Sequence, residues 1–277
     1  GPSRFIRTAI STRNNRFRAP SCEIDNVQEK RRGQEQSAAS LVSCYFLLIF
    51  YDSAGLVTML SVIIVTHNSE SFIDRCIASL DDQSAPASRV IIVDSGSTAP
   101  SYLDLLATKK GYEIYKKQNI GFAAANNFGL SLTSAESDYI CIMNPDTFLE
   151  TQTFESALAV LAADSQVGIV GGRLKGFDID LGSATGLLDS TGIFRSWYGR
   201  WYDRGQGQKN ADNFRIQEEV PAVCGAFMFC RTAALKEAVP TPFDESFFMY
   251  KEDIDLCLRL RKKGWKLLYV PEVEMHH

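Results

Sequence analysis

A chain of 277 residues with 45% hydrophobic content carries enough apolar material for a filled core, which excludes a disordered or fibrous chain. Its net charge of −4 is unevenly spread: 8 of the 29 basic and 5 of the 33 acidic residues fall in 1–58, leaving 21 basic against 28 acidic residues and a net −7 in 59–277. So acidic a body has no electrostatic footprint for nucleic acid, and any phosphate it binds is small and met by local donors or a metal.

Residues 1–36 are polar, Arg-rich and without helix or strand period, and Gly1 and Pro2 resemble the scar of a cleaved tag. "LVSCYFLLIFY" (41–51) is apolar but, at 11 residues, too short for a span of about 20 helical residues; it suits a membrane interface or a signal-like core. Met59 then opens "MLSVIIVTHN" as a natural start. The expectation is that 1–58 is a non-native or disordered extension and that the fold occupies 59–277. The seven cysteines (22, 44, 76, 141, 224, 230, 257) include no CxxC pair, and most lie in apolar runs where Cys behaves as a small hydrophobe, so a reducing compartment is expected.

From residue 59 the pattern alternates. "LSVIIVTHN" (60–68) reads as a strand buried on both faces, and 70–82 places Phe72, Ile73, Cys76, Ile77 and Leu80 at helical spacing. "SRVIIVDSGST" (88–98) is a second buried strand. A helix near 101–110, the strand "YEIYKK", a helix near 121–135 and the strand "YICIMNPD" follow. A helix is expected over 153–163 and a strand at "VGIVGGRL", then a loop-like region over 174–220 whose aromatics Phe194, Trp197, Tyr198, Trp201 and Tyr202 form a candidate sugar or acceptor platform. "VPAVCGAFMFCRTAAL" (220–235) reads as a buried strand followed by a helix. The alternation predicts a doubly wound, mainly parallel α/β sheet with helices on both faces and a less regular second half.

In such sheets ligands collect at the carboxyl ends of the strands. Those ends here are Thr66, His67 and Asn68, then Asp94 and Ser95, then Asn144 and Asp146. Each set alone is explained by turn chemistry, but three on one rim read as a site. Farther on, Ile254, Cys257, Leu258 and Arg261 predict a helix from Lys251 to Lys263 stopped by Gly264. Glu252 and Asp253 then sit in its first turn, where the helix dipole favours acids, and Asp255 pairs with Arg259. The preceding "SFFMY" would bury that helix start and tune an acid there. A strand "KLLYV" precedes Pro271 and "EVEMHH", whose terminal histidines are either a tag remnant, a frayed end or metal ligands beside Asp146.

Five ordered segments, "VIIVTHNS", "VIIVDSGST", "NIGFAAANNFG", "MNPDT" and "FDESFFMYKEDIDLCLRLRKKGW", carry a resemblance to the family 2 glycosyltransferases of GT-A fold, in their rhamnosyltransferase-like branch. The resemblance implies a nucleotide-sugar-binding half (59–150) and an acceptor, metal and catalytic-base half (151–277) of one GT-A domain. Val65, Thr66 and His67 would line the base and ribose, and Asp94 would accept the ring N–H of uracil or thymine. Asn119, Gly121, Phe122, Asn126 and Asn127 would underlie the nucleotide, with Asn144 a neutral neighbour of the donor. Asp146 would reach Mg²⁺ or Mn²⁺ on the diphosphate, and His276 resembles the family's late metal-binding His, with His277 an open alternative. Asp253 matches the general base of inverting members, supported by Glu252.

By the same resemblance the donor is dTDP-rhamnose or a UDP-sugar, and the acceptor a glycan or lipid-linked glycan in surface polysaccharide synthesis. The enzyme would be cytoplasmic, in peripheral contact with the inner face of the plasma membrane. Family members continue past the His, so the C-terminal end is expected to be truncated. A Rossmann oxidoreductase would need GxGxxG after the first strand, and a P-loop enzyme GxxxxGK[ST]; neither is present. A non-catalytic nucleotide-sugar-binding module and a sugar nucleotidyltransferase are the alternatives.

Overall fold

The computed structural model describes residues 59–133, 137–209 and 213–277. The expectations for 1–58, including the apolar run at 41–51, lie outside the described residues.

The first strand, β1 (Leu60–Thr66), is buried at every position, as a continuous β-branched run between two covered faces requires. Alternate side chains serve opposite faces: Val62 and Ile64 enter one core cluster, Ile63 the other. The helix α1 (Ile73–Asp81) packs Ile73, Cys76, Ile77 and Leu80 into the first cluster. β2 (Arg89–Ser95), β3 (Tyr112–Lys117) and β4 (Tyr139–Met143) extend the parallel sheet, and α2 (Phe122–Leu132) covers the opposite face from α1. The helix expected near 101–110 is instead two 3₁₀ turns, Pro100–Leu103 and Leu106–Thr108. Only Leu103 of that stretch is buried within them, so no apolar face exists to hold a full helix.

β5 (Phe148–Leu149), α3 (Thr153–Ala163) and β6 (Val167–Asp178) follow, with α3 matching its expected bounds. The region expected to be loop-like is corrected. It holds β7 (Ser183–Ser190), β8 (Ile193–Arg195), β9 (Trp201–Asp203) and β10 (Glu218–Glu219). Five of the eight residues of β7 are exposed, so its pairing with β6 rather than any apolar period makes it a strand. β11 (Phe227–Arg231), α4 (Thr232–Glu237), α5 (Glu252–Lys262) and β12 (Lys266–His276) complete the chain. Gly264 stands at φ +94°, the left-handed conformation that stops α5.

The main sheet runs β10-β12-β6-β11-β4-β1-β2-β3, with β5 on β12 and β7 on β6. β4, β1, β2 and β3 are parallel, whereas β11 is antiparallel to both β4 and β6. α1 and α3 bury against one face; α4 and α5 bury against the other. No helix among the described residues is long and apolar enough to cross a membrane.

β12 passes through Pro271 and continues to His276, beyond the expected strand "KLLYV". The register slips between Val270 and Glu274, a bulge that removes the proline from the ladder and lets pairing resume at Glu274 with Arg173. Gly172 lies beneath this bulge, where a Cβ would stand 2.0 Å from the Val273 carbonyl oxygen. The resumed strand pins the histidines: His276 pairs with Phe148 and Lys175, and the His277 N–H donates to the Lys175 carbonyl (2.8 Å).

Candidate active site

The β1–β2 register sets Thr66 beside Asp94, and Asn144 directly follows β4. Three parallel strands therefore end on one rim, and two cavities open there. The smaller, about 250 Å³, is walled by Val65, Thr66, His67, Asn119 and Gly121, with Asp146 at its edge. The larger, about 420 Å³, holds Glu252, Asp253, Trp201, Asp203 and His277. Phe122, Asn144 and Met249 line both, so the two share a wall.

In the smaller cavity the His67 Nδ1–H donates to the Ser95 carbonyl (2.9 Å), orienting the ring. Asn119 organises the opposite loop: its Oδ1 accepts from the Gly121 N–H (3.2 Å) and the Ser95 hydroxyl (3.5 Å). Gly121 has φ +82°, and a Cβ there would meet the Phe248 ring at 2.7 Å and the Phe248 carbonyl oxygen at 2.8 Å. The Phe122 N–H donates to that same carbonyl (2.9 Å), so glycine admits the segment before α5 against the start of α2. Gly121→Ala is expected to destabilise the fold by about 1–3 kcal/mol and to weaken nucleotide-sugar binding; thermal melting and equilibrium binding measure the two.

Three of the residues expected at the nucleotide are engaged within the protein. Asp94 is 1% exposed and is not in the cavity wall. Its oxygens accept from the Thr66 hydroxyl (3.2 Å), the Ser97 N–H (3.2 Å) and the Ser97 hydroxyl, so it braces the loop after β2. Asn127 exchanges hydrogen bonds with the Phe243 backbone, donating to its carbonyl (2.7 Å) and accepting from its N–H (3.0 Å), and so fixes the 243–245 segment. Asn126 is buried and donates to the Phe122 carbonyl in its own helix (3.0 Å). A sequence motif does not distinguish an asparagine that touches ligand from one that holds the loop carrying it.

Asp253 enters the larger cavity from the first turn of α5. Its Oδ2 accepts from the Gly225 N–H (3.0 Å) and its Oδ1 from the Ile254 N–H (2.8 Å), fixing the carboxylate plane. Burial raises its pKa above the ordinary aspartate value, although these amides oppose the shift. Glu252 is 5% exposed, lines the cavity and has an Oε2 with no hydrogen-bond partner. Burial, then the Asp253 charge, pushes its pKa up. Tyr250 and Lys251, at φ +70° and +79°, make the sharp turn that aims α5 at the cavity. The aromatic cluster divides: Trp201 and Tyr202 wall the larger cavity, while Trp197 is 95% exposed.

His277, not His276, faces Asp146. Adjacent residues of a strand point to opposite faces, so only one of the pair can. His276 turns to Glu150 (Nε2–Oε1 3.3 Å) and packs edge-on against Phe177. His277 places Nε2 3.5 Å from Asp146 Oδ1 and 3.4 Å from Asn144 Nδ2, and Nδ1 2.8 Å from Asp189 Oδ2. Burial lowers the His277 pKa, but the Asp189 hydrogen bond and the charges of Asp146, Asp189 and Asp203 outweigh it and leave the pKa raised. Asp189 is lowered in turn, because the His277 interactions exceed its own desolvation.

No group of three His, Cys, Asp or Glu side chains arranged for a metal occurs among the described residues. The pair Asp146 and His277 nevertheless suits a divalent cation that keeps phosphate and water ligands, and beside it Asn144 Oδ1 is buried without a partner. Asp189 and Asp203 were not anticipated from sequence; they lie in strands whose period is too short or too exposed to register.

The mixed, mainly parallel sheet with its polar rim over two joined cavities is the architecture of the GT-A fold. The chain belongs to glycosyl transferase family 2, whose family model matches residues 61–238. It is 24% identical over 234 residues to an N-acetylglucosaminyl-diphospho-decaprenol L-rhamnosyltransferase of Mycobacterium tuberculosis, covering 79% of this chain and 76% of that relative. It is also 24% identical to the rhamnosyltransferase WbbL of Escherichia coli K12, covering 79% and 83%. The fold is shared with GalNAc-T7, solved with UDP, GalNAc and Mn²⁺ (TM-score 0.64, 14% identity, 79% of this chain and 43% of that one). It is shared also with Staphylococcus aureus TarS 1-349 in complex with UDP-GlcNAc (TM-score 0.59, 17% identity, 79% and 58%). The chain thus spans less than two thirds of these solved chains.

Proposed function

We propose that this glycosyltransferase inverts the anomeric centre, moving a hexose, rhamnose foremost, from a nucleoside-diphosphate sugar to a hydroxyl of a glycan or lipid-linked glycan. The observation that carries the reading is the shared wall: Asp253 stands in one cavity, Asp146 and the Thr66–His67 strand end in the other, and Asn144 belongs to both. The nucleotide occupies the smaller cavity, in the half formed by 59–150. The acceptor enters the larger one, in the half formed by 151–277.

Asp253 accepts the proton of the acceptor hydroxyl as that oxygen bonds to the anomeric carbon from the face opposite the leaving group. The bond from anomeric carbon to diphosphate oxygen breaks, and its electron pair leaves with the nucleoside diphosphate. One displacement inverts the centre and needs no covalent enzyme intermediate. Asp146 and His277 are the residues that would hold a Mg²⁺ or Mn²⁺ ion, which when bound would supply positive charge to the leaving diphosphate. The Gly225 and Ile254 amides hold the basic carboxylate in place, with Glu252 desolvated beside it in a supporting role. The names of the mycobacterial and E. coli relatives favour rhamnose as the sugar, and the mycobacterial name a polyprenyl-diphosphate-linked acceptor; dTDP as its carrier follows from the family resemblance, with a UDP-sugar the other donor. A lipid-linked acceptor would place the enzyme on the cytoplasmic face of the membrane.

The test is a panel of dTDP- and UDP-sugars with Mn²⁺, read by thermal shift and by released nucleoside diphosphate. A ligand that binds only the folded state raises the melting temperature. The expected result is a shift with one donor and diphosphate release from it; a shift without release in the presence of sugar acceptors would mark a binding module instead.

A further inference from the structure

Asp189 lies outside every motif of the family resemblance, yet its carboxylate makes the shorter of the two polar contacts to the His277 ring that involve an acid: Nδ1 to Asp189 Oδ2 is 2.8 Å, Nε2 to Asp146 Oδ1 3.5 Å. A carboxylate oxygen only accepts, so the hydrogen of a neutral imidazole is held on Nδ1. Nε2 then presents its lone pair toward Asp146 and Asn144. The other Asp189 oxygen is also engaged, accepting from Gln206 Nε2 (3.3 Å). β7 ends at Ser190, one residue beyond, where it pairs with Leu174 on β6. β12 runs along the other edge of β6, and pairs with it through His276. The acid and the imidazole are therefore supported by strands flanking the same neighbour, although 88 residues separate them.

We propose that Asp189 is a positioning residue for a divalent-cation ligand: it fixes His277 as the Nδ1–H tautomer with its ring aligned, so that Nε2 and the Asp146 carboxylate form a prepared pair. An imidazole lacking such a partner exchanges tautomers and rotates, and the pair must be assembled anew each time a cation binds. Outer partners of this kind typically contribute about 10–100-fold in metal affinity. The proposal rests on the reading of Asp146 and His277 as cation ligands. It assigns Asp189 no contact with substrate.

The test compares wild type with Asp189→Ala and Asp189→Asn. Mn²⁺ affinity is read by paramagnetic-resonance titration with UDP present, and the His277 tautomer by ¹⁵N shifts of the imidazole in metal-free protein at a pH where the shifts show the ring to be neutral. Asp189→Ala is expected to lose about 10–100-fold in Mn²⁺ affinity and to give mixed tautomers. Asp189→Asn keeps an oxygen that can accept from Nδ1–H, and is expected to recover most of both. Metal-free UDP binding and the melting temperature control for misfolding. An unchanged tautomer in a folded Asp189→Ala protein overturns the proposal, as does unchanged Mn²⁺ affinity. Should wild type bind no Mn²⁺, the cation reading fails; the tautomer measurement would still show separately whether Asp189 sets the imidazole.

Discussion

Asp253→Asn is expected to lower kcat by about 10²–10⁴-fold, the usual contribution of a general base, while nucleotide-sugar affinity stays within error. The side chains are nearly isosteric, and the amide oxygen can still accept the Gly225 N–H, so the start of α5 keeps its place. What is removed is the basic lone pair facing the cavity. Because burial raises the Asp253 pKa above that of an ordinary aspartate, the acid limb of kcat/KM lies higher than a solvated aspartate would place it. Activity is lost as pH falls through that value, since the protonated acid cannot take the hydroxyl proton. Measuring kcat and KM across pH for both proteins separates this role from a binding role. A variant with raised KM and unchanged kcat would make Asp253 an acceptor-binding group.

His277→Ala and Asp146→Ala carry the second large effect. Each is expected to weaken Mn²⁺ binding by more than the ~10–100-fold lost with an outer partner, whereas His276→Ala leaves it unchanged. The reason is directional: His276 faces Glu150 and Phe177, on the opposite side of β12 from Asp146. His277→Ala also strips Asp189 of its short hydrogen-bond partner, so a modest loss of stability accompanies the loss of cation. Titration of Mn²⁺ into the three variants in the presence of UDP decides the matter. Equal loss in His276→Ala and His277→Ala would mean that the strand end rearranges when the site fills.

The first half of the described fold, up to β4, was legible because it is built from local signals. β1, β2 and β4 are unbroken apolar runs ending in polar residues, and burial on both sheet faces leaves little choice but a parallel sheet. The rim then follows from topology, with Asp146 and Asp253 at its two cavities. The 174–220 region was illegible because β7 and β10 are largely exposed and β8 and β9 are three residues each. Such strands exist through pairing partners far along the chain, and nothing in their own sequence announces them. Asp189 and Asp203 were hidden for the same reason. Asp94 shows what a motif leaves out, since its carboxylate also accepts from Thr66 and Ser97 and so holds the loop that follows β2.

By itself the amino-acid sequence determined the strands and helices outside 101–110 and 174–220, the residues of the sheet rim, and the first-turn position of Glu252 and Asp253, because each depends on periodicity or on turn and cap chemistry within a few residues. Tertiary structure alone decided which terminal histidine meets Asp146. That choice depends on the bulge at Pro271, which sets where β12 resumes its register against β6, and on Asp189, which receives the imidazole. A one-residue change of phase turns a strand side chain from one face to the other.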